Sequence, residues 1–134
     1  MIKILFVEDN DLNADMLGRR LTKCGYQAVR AADGRQAITL AVRERPDLIL
    51  MDLSLPEIDG WDATREVKCI LETAHIPVIA LTARVMENDR ARAFAAGCEA
   101  FETKPIDFDR LLQKMQQLLA SRRRTATPPP ILKR

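Results

Sequence analysis

A chain of 134 residues, 47% hydrophobic and 30% charged, has the size and balance of one globular domain with its own core. Lys and Arg number 21 against 19 Asp and Glu, but five of the cations (Arg122, Arg123, Arg124, Lys133 and Arg134) stand beyond residue 121, so residues 1–121 carry −3. An acidic body is not a nucleic-acid-binding face, and no direct DNA binding is expected; no apolar run is long enough to span a membrane, and no signal peptide opens the chain, so a cytoplasmic location is the default.

Ile2 to Val7 is apolar except for Lys3 and predicts a buried strand ending in Glu8 and Asp9. Asn10 can cap the helix that follows, where Ala14, Leu17 and Leu21 form one apolar stripe and Gly25 is the C-terminal stop. Gln27 to Ala31 is short and mixed, as an edge strand is. Asp33 and Gly34 open a second helix, with Ala37, Ile38, Ala41 and Val42 on one face and Pro46 as its stop. Residues 47 to 60 read DLILMDLSLPEIDG: the apolar run from Leu48 to Met51 ends in Asp52 and is punctuated by Pro46, Pro56 and Gly60. Asp59 can cap a helix carrying Val67, Ile70 and Leu71. Pro77 to Leu81 is again β-rich and ends at Thr82. Met86 to Ala96 reads as a helix closed by Gly97, and Glu99 to Glu102 as a short, more polar strand before Thr103, Lys104 and Pro105. Asp107 caps a last helix, with Phe108, Leu111, Leu112, Met115, Leu118 and Leu119 in helical period.

Strict alternation of strands and helices predicts an α/β fold, a doubly wound parallel sheet of five strands with five helices on its two faces. The strands near Ile2, Leu48 and Val78 are the most apolar and therefore central; those near Gln27 and Glu99 are edges. The flavodoxin-like order 2-1-3-4-5 satisfies this. The domain is expected over residues 1–121, with 122–134, basic and proline-rich, as a disordered tail. Cys24, Cys69 and Cys98 are far apart and form no metal-ligand spacing, so they are expected as buried or half-buried thiols. His75, the one histidine, precedes Ile76 and Pro77 and suits a loop better than catalysis.

In such a sheet Glu8, Asp9, Asp52, Thr82 and Lys104 all stand at the C-terminal edge, where open α/β sheets bind their ligands. Three carboxylates then converge with a hydroxyl and an ammonium. At ~4 Å and an effective dielectric of ~20, each close carboxylate pair costs about 4 kcal/mol. A divalent cation relieves that cost. Oxygen donors favour Mg²⁺, which keeps several waters and binds one or two carboxylates together with phosphate oxygens.

VEDN at 7–10, MDLSLPEIDG at 51–60, ALTA at 80–83 and TKPI at 103–106, in this order and spacing, resemble the receiver domain of two-component response regulators. The resemblance covers residues 1 to about 121. Within the family VEDNDLN, HIPVIALTA and AGCEAFETKPID are similar to stand-alone cell-cycle regulators of the DivK type and to receivers of hybrid histidine kinases. It implies that Asp52 is the phospho-acceptor, taking a phosphoryl group from a histidine kinase, a histidine phosphotransfer protein or a small donor. It implies Mg²⁺ as cofactor, held by Asp9, Asp52 and the backbone carbonyl of Ser54, with Glu8 acting through water. Lys104 would hold phosphoryl oxygens as a point charge, Thr82 would bond the phosphoryl group, and Pro105 would be a cis proline. Phe101 takes the place often held by a switch tyrosine, without its hydroxyl. Ser54 and Arg84 occupy positions that tune phosphoryl lifetime.

The function implied is a phosphorylation-controlled signalling module rather than an enzyme with turnover. Its surface over the helix at 86–96, the strand at 99–102 and the last helix would change for a downstream protein target. A receiver excised from a hybrid kinase is the alternative within the family. A Mg²⁺-dependent phosphohydrolase of the haloacid-dehalogenase type would also use an aspartyl nucleophile, but it needs an acid two residues later, where Ser54 stands. Dinucleotide binding lacks its glycine-rich turn, since EDNDLN follows the first strand. Asn13 and Met16 lie off the apolar stripe of the first helix and are expected to face solvent as a partner-docking surface.

Overall fold

The computed structural model describes residues 1–53, 59–83, 91, 92 and 94–126, with side chains up to residue 121. In chain order its elements are β1 (Lys3–Val7), α1 (Asp11–Lys23), β2 (Gln27–Ala31), α2 (Gly34–Glu44), β3 (Leu48–Asp52), α3 (Gly60–Cys69), β4 (Val78–Thr82), β5 (Ala100–Thr103) and α4 (Phe108–Ala126). The five strands are parallel in the order β2-β1-β3-β4-β5. β3 and β4 are buried at every residue, whereas β2 is half-exposed. The apolar runs therefore took the centre because only there are both faces covered.

Two cores follow from the alternation of side chains along each strand. On one face Leu5, Val7, Ile49, Met51 and Ala80 pack against Ala37 and Ala41 of α2 and Trp61, Ala63 and Val67 of α3. On the other, Ile4, Phe6, Leu48, Leu50 and Ile79 pack against Ala14 and Leu21 of α1 and Leu111, Met115 and Leu119 of α4. Fully burying a side chain such as Leu50 is worth about 1.5–3 kcal/mol, so these two layers dominate the stability.

Helix starts obey local chemistry. The side chains of Asn10, Asp33 and Asp59 accept the backbone N–H three residues on, at 2.9, 2.8 and 3.0 Å, and Asp107 does the same for Arg110 at 3.2 Å. Gly25, at φ +90°, follows α1 as expected of a C-terminal glycine. The helix expected at 86–96 lies largely outside the described residues; Ala91, Arg92, Phe94 and Ala95 are helical, and Gly97 follows at φ +110°. The described residues thus hold four bounded helices.

Two expectations are corrected. α3 stops at Cys69, so Ile70 turns to extended backbone and Leu71 is 87% exposed rather than on the helical stripe. The buried Thr73 hydroxyl accounts for the stop, because it donates at 2.7 Å to the Val67 carbonyl at the end of α3. Cys24 and Cys69 are exposed, because each lies at the solvent end of a helix; only Cys98 is buried, and burial pushes its thiol up to about 11. Separately, α4 runs from Phe108 to Ala126, where Arg and Ala favour helix.

Candidate functional site

The C-terminal ends of β1, β3, β4 and β5 bring together Glu8, Asp9, Asp52, Thr82 and Lys104. β1 and β3 are adjacent, and the chain reverses direction of winding between them, so a crevice opens above their ends. One carboxylate oxygen each from Glu8, Asp9 and Asp52 lies within 4.8 Å of the others. Glu8 and Asp52 are buried at 5% and 2% exposure, while Asp9 faces solvent. Lys104 Nζ bridges the buried pair, 2.9 Å from Asp52 Oδ2 and 3.3 Å from Glu8 Oε1. Burial alone would lower the Lys104 ammonium. The hydrogen bond and charge of Asp52, and then those of Glu8, outweigh it and raise its pKa, so it stays charged at neutral pH.

One ammonium against three carboxylates leaves the cluster net negative. All three are hard oxygen donors, and two are already dehydrated; this set fits a small divalent cation of the Mg²⁺ kind. Ser54, expected to add a backbone carbonyl, lies outside the described residues, as do Arg84 and Pro56. Thr82 is buried at 2%, and its carbonyl accepts the Lys104 N–H at 2.7 Å, which sets the base of the lysine beside the end of β4. Lys104–Pro105 is cis, as expected. Phe101 pairs with Ala80 across β4 and β5 and is packed inward, 6% exposed, on the face that also carries Thr82.

Three residues to which the sequence assigned no role in the site support it. Gly60, the first residue of α3, lies directly on the end of β3: a Cβ there would press on the Asp52 carbonyl oxygen and stand 2.5 Å from Leu53 Cα. Backbone cannot yield as a flexible side chain does. Gly60→Ala should therefore cost about 1–3 kcal/mol of stability by overpacking, despite the better helix propensity of alanine. Urea unfolding measures this, and an unchanged midpoint would show that α3 can lift from β3 freely. Arg30 on β2 reaches across to the turn after β1, with Nη2 2.9 Å and Nε 3.1 Å from the Glu8 carbonyl. Glu102 on β5, 3% exposed, meets Arg110 Nε at 2.8 Å and Lys114 Nζ at 2.8 Å, and the same Nζ donates to the Phe101 carbonyl at 2.7 Å. Burial would raise the Glu102 carboxyl, but Lys114 and Arg110 hold it below its ordinary value.

Beside the carboxylates a groove of about 540 Å³ runs between α1 and the segment after β5. Met16, Leu17, Leu81, Ile106 and Phe108 line it together with Glu8 and Lys104. Met16, 53% exposed, and Asn13 face solvent as expected, and Leu12 is 69% exposed beside them.

Comparison with known proteins gives a consistent result. The family model described as the response regulator receiver domain matches residues 4–116. The polar-differentiation response regulator DivK of Brucella anthropi is 41% identical over 116 residues, covering 87% of this chain and 94% of that one. The receiver domain of a sensor histidine kinase from Pseudomonas aeruginosa PAO1, solved with a magnesium ion coordinated in its active site cleft, is 38% identical with a TM-score of 0.83, covering 89% of this chain and 98% of that one. The signal receiver domain of a histidine kinase from Syntrophus aciditrophicus is 32% identical with a TM-score of 0.85, covering 99% and 98%. No helix among the described residues is long and apolar enough to cross a membrane.

Proposed function

Because the chain belongs to the response regulator receiver family, we propose that Asp52 accepts a phosphoryl group from a phosphohistidine and that the modified domain signals by changing the surface it offers a partner. The observation that carries this reading is a buried strand-end carboxylate held by Lys104 and flanked by two further acids. Family membership makes the module a signalling one and a histidine kinase its donor, either directly or through a phosphotransfer protein. It leaves the phosphohydrolase and dinucleotide readings without support.

The chemistry is a displacement at phosphorus. An Asp52 carboxylate oxygen attacks, a P–O bond forms, the P–N bond breaks, and its electron pair stays on the imidazole nitrogen. The product is an acyl phosphate. Little else is covalent, so the protein contributes position and charge. Lys104, kept charged by Asp52 and Glu8, can follow the new negative charge on the phosphoryl oxygens. Asp9 and Asp52, with Glu8 through water and the Ser54 carbonyl, would hold Mg²⁺, which neutralises charge on the transferring group. Thr82 would donate its hydroxyl to the phosphoryl group, and Phe101, on the same face one strand over, would repack in response.

Moving a two-state surface from 1:99 to 99:1 takes about 5.5 kcal/mol of differential stabilisation. A few charge-assisted hydrogen bonds to a phosphoryl group are of that order.

Isothermal titration with Mg²⁺ tests the metal part of the reading. Asp9→Ala should weaken binding by about tenfold or more, roughly 1.4 kcal/mol. The same change removes one of three mutually repelling carboxylates, so the metal-free variant should unfold at an equal or higher urea concentration than the parent. An unchanged Mg²⁺ affinity would remove Asp9 from the ligand set.

A further inference from the structure

Arg30 is the fourth of the five residues of an edge strand and belongs to no motif, yet two of its guanidinium nitrogens meet the turn after β1. Its partner in the sheet register is Phe6, so its side chain lies on the α1 face of the sheet. From there the guanidinium forks. Nε and Nη2 stand 3.1 and 2.9 Å from the single carbonyl oxygen of Glu8, and Nη1 pairs with Asp11 Oδ1 at 2.9 Å. We propose that Arg30 is a positioning residue of the acidic site, holding the turn that carries Glu8 and Asp9 in the arrangement that receives a divalent cation.

The Glu8 carbonyl belongs to the same peptide plane as the Asp9 nitrogen. Two donors converging on that oxygen fix the plane's orientation, and with it the direction in which Asp9 leaves the turn. β2 holds Glu8 from the other side as well, because the Glu8 N–H donates to the Ala31 carbonyl at 3.0 Å. The carboxylate of Glu8 is tied separately, since its Oε2 accepts the Asn10 N–H at 3.2 Å. Asp9 itself is exposed, so the rigidity of its backbone matters more to its aim than packing does. The Asp11 contact extends the clamp to the first residue of α1, tying helix, turn and edge strand together.

A lysine could supply the charge but not the planar fork. Charge and position also act in opposite directions. A cation beside the cluster repels Mg²⁺, so deleting only the charge would tighten metal binding. Loss of the clamp would weaken it, and outer contacts of metal sites typically matter by about 10–100-fold.

The inference rests on the reading of Glu8, Asp9 and Asp52 as a Mg²⁺ site, and calorimetric titration of the full chain with MgCl₂ separates the two. Arg30→Lys and Arg30→Gln should both weaken Mg²⁺ binding by about tenfold. Amide NMR of the metal-free variants should show shifts at Asp9 and Asn10, with the rest of the spectrum close to that of the parent. Tighter binding in Arg30→Gln with unchanged binding in Arg30→Lys would mean that Arg30 acts only as a charge, which overturns the proposal. Unchanged affinity in both would overturn it too. A parent chain that binds no Mg²⁺ would instead sink the metal site itself.

Discussion

Asp52→Asn should abolish the hydroxylamine-labile phosphoryl label that forms when the protein is incubated with Mg²⁺ and a small acyl or amido phosphate. The amide keeps the shape of the carboxylate, but its oxygen is a far weaker nucleophile and cannot give an acyl phosphate by simple displacement. The fold should survive. Lys104 loses a charged partner at 2.9 Å but keeps Glu8 at 3.3 Å and can still donate to the amide oxygen. The change also removes one of three crowded negative charges, which offsets part of the broken pair. Intact-mass spectrometry reads the label and circular dichroism the fold. A label retained at the parent's level by a folded Asp52→Asn protein would place the acceptor elsewhere. Loss of both label and fold would leave Asp52→Glu as the deciding variant: a folded, unlabelled Asp52→Glu confirms that the displaced oxygen, not the charge, is at fault, whereas full labelling there refutes a site this demanding.

Much of that site was legible because its signals are local. Asp52 closes an apolar run, Glu8 and Asp9 close another, and parallel alternation sends both ends to one edge. The helix caps at Asn10, Asp33, Asp59 and Asp107 each need only a side chain and an amide three residues away. What stayed hidden depends on partners distant in sequence. Arg30 meets Glu8 across 22 residues and looks like a polar residue of an edge strand. Glu102 shares that disguise, yet it is buried because Arg110 and Lys114, one turn apart on α4, neutralise it. The stop at Cys69 hinges on Thr73, whose hydroxyl reaches back six residues, and no periodicity announces it. Gly60 was visible as punctuation, but the reason for a glycine is the backbone of β3 beneath it.

The same geometry predicts where a macromolecular phosphodonor docks. A macromolecular donor must bring its phosphohistidine to the end of β3, past the rim formed by the start of α1 and the segment after β5. The groove there is lined by the apolar side chains of Met16, Leu17, Leu81, Ile106 and Phe108 together with Glu8 and Lys104, and Met16 is half-exposed. Methionine suits such a surface, being flexible and polarisable enough to fit a partner's side chains. Met16→Glu should therefore slow transfer from a cognate kinase or phosphotransfer protein by about tenfold, as removal of a central interface contact commonly does. Labelling by a small phosphodonor should change by less than about twofold, since Met16 touches neither Asp52 nor Lys104 through any hydrogen bond or ion pair, and glutamate matches methionine in helix propensity. Comparing the two rates under identical Mg²⁺ controls for any effect of the added charge on the metal. Equal slowing of both would show that the substitution disturbs the acidic site rather than docking. Unchanged transfer from the macromolecular donor would move the docking surface off α1.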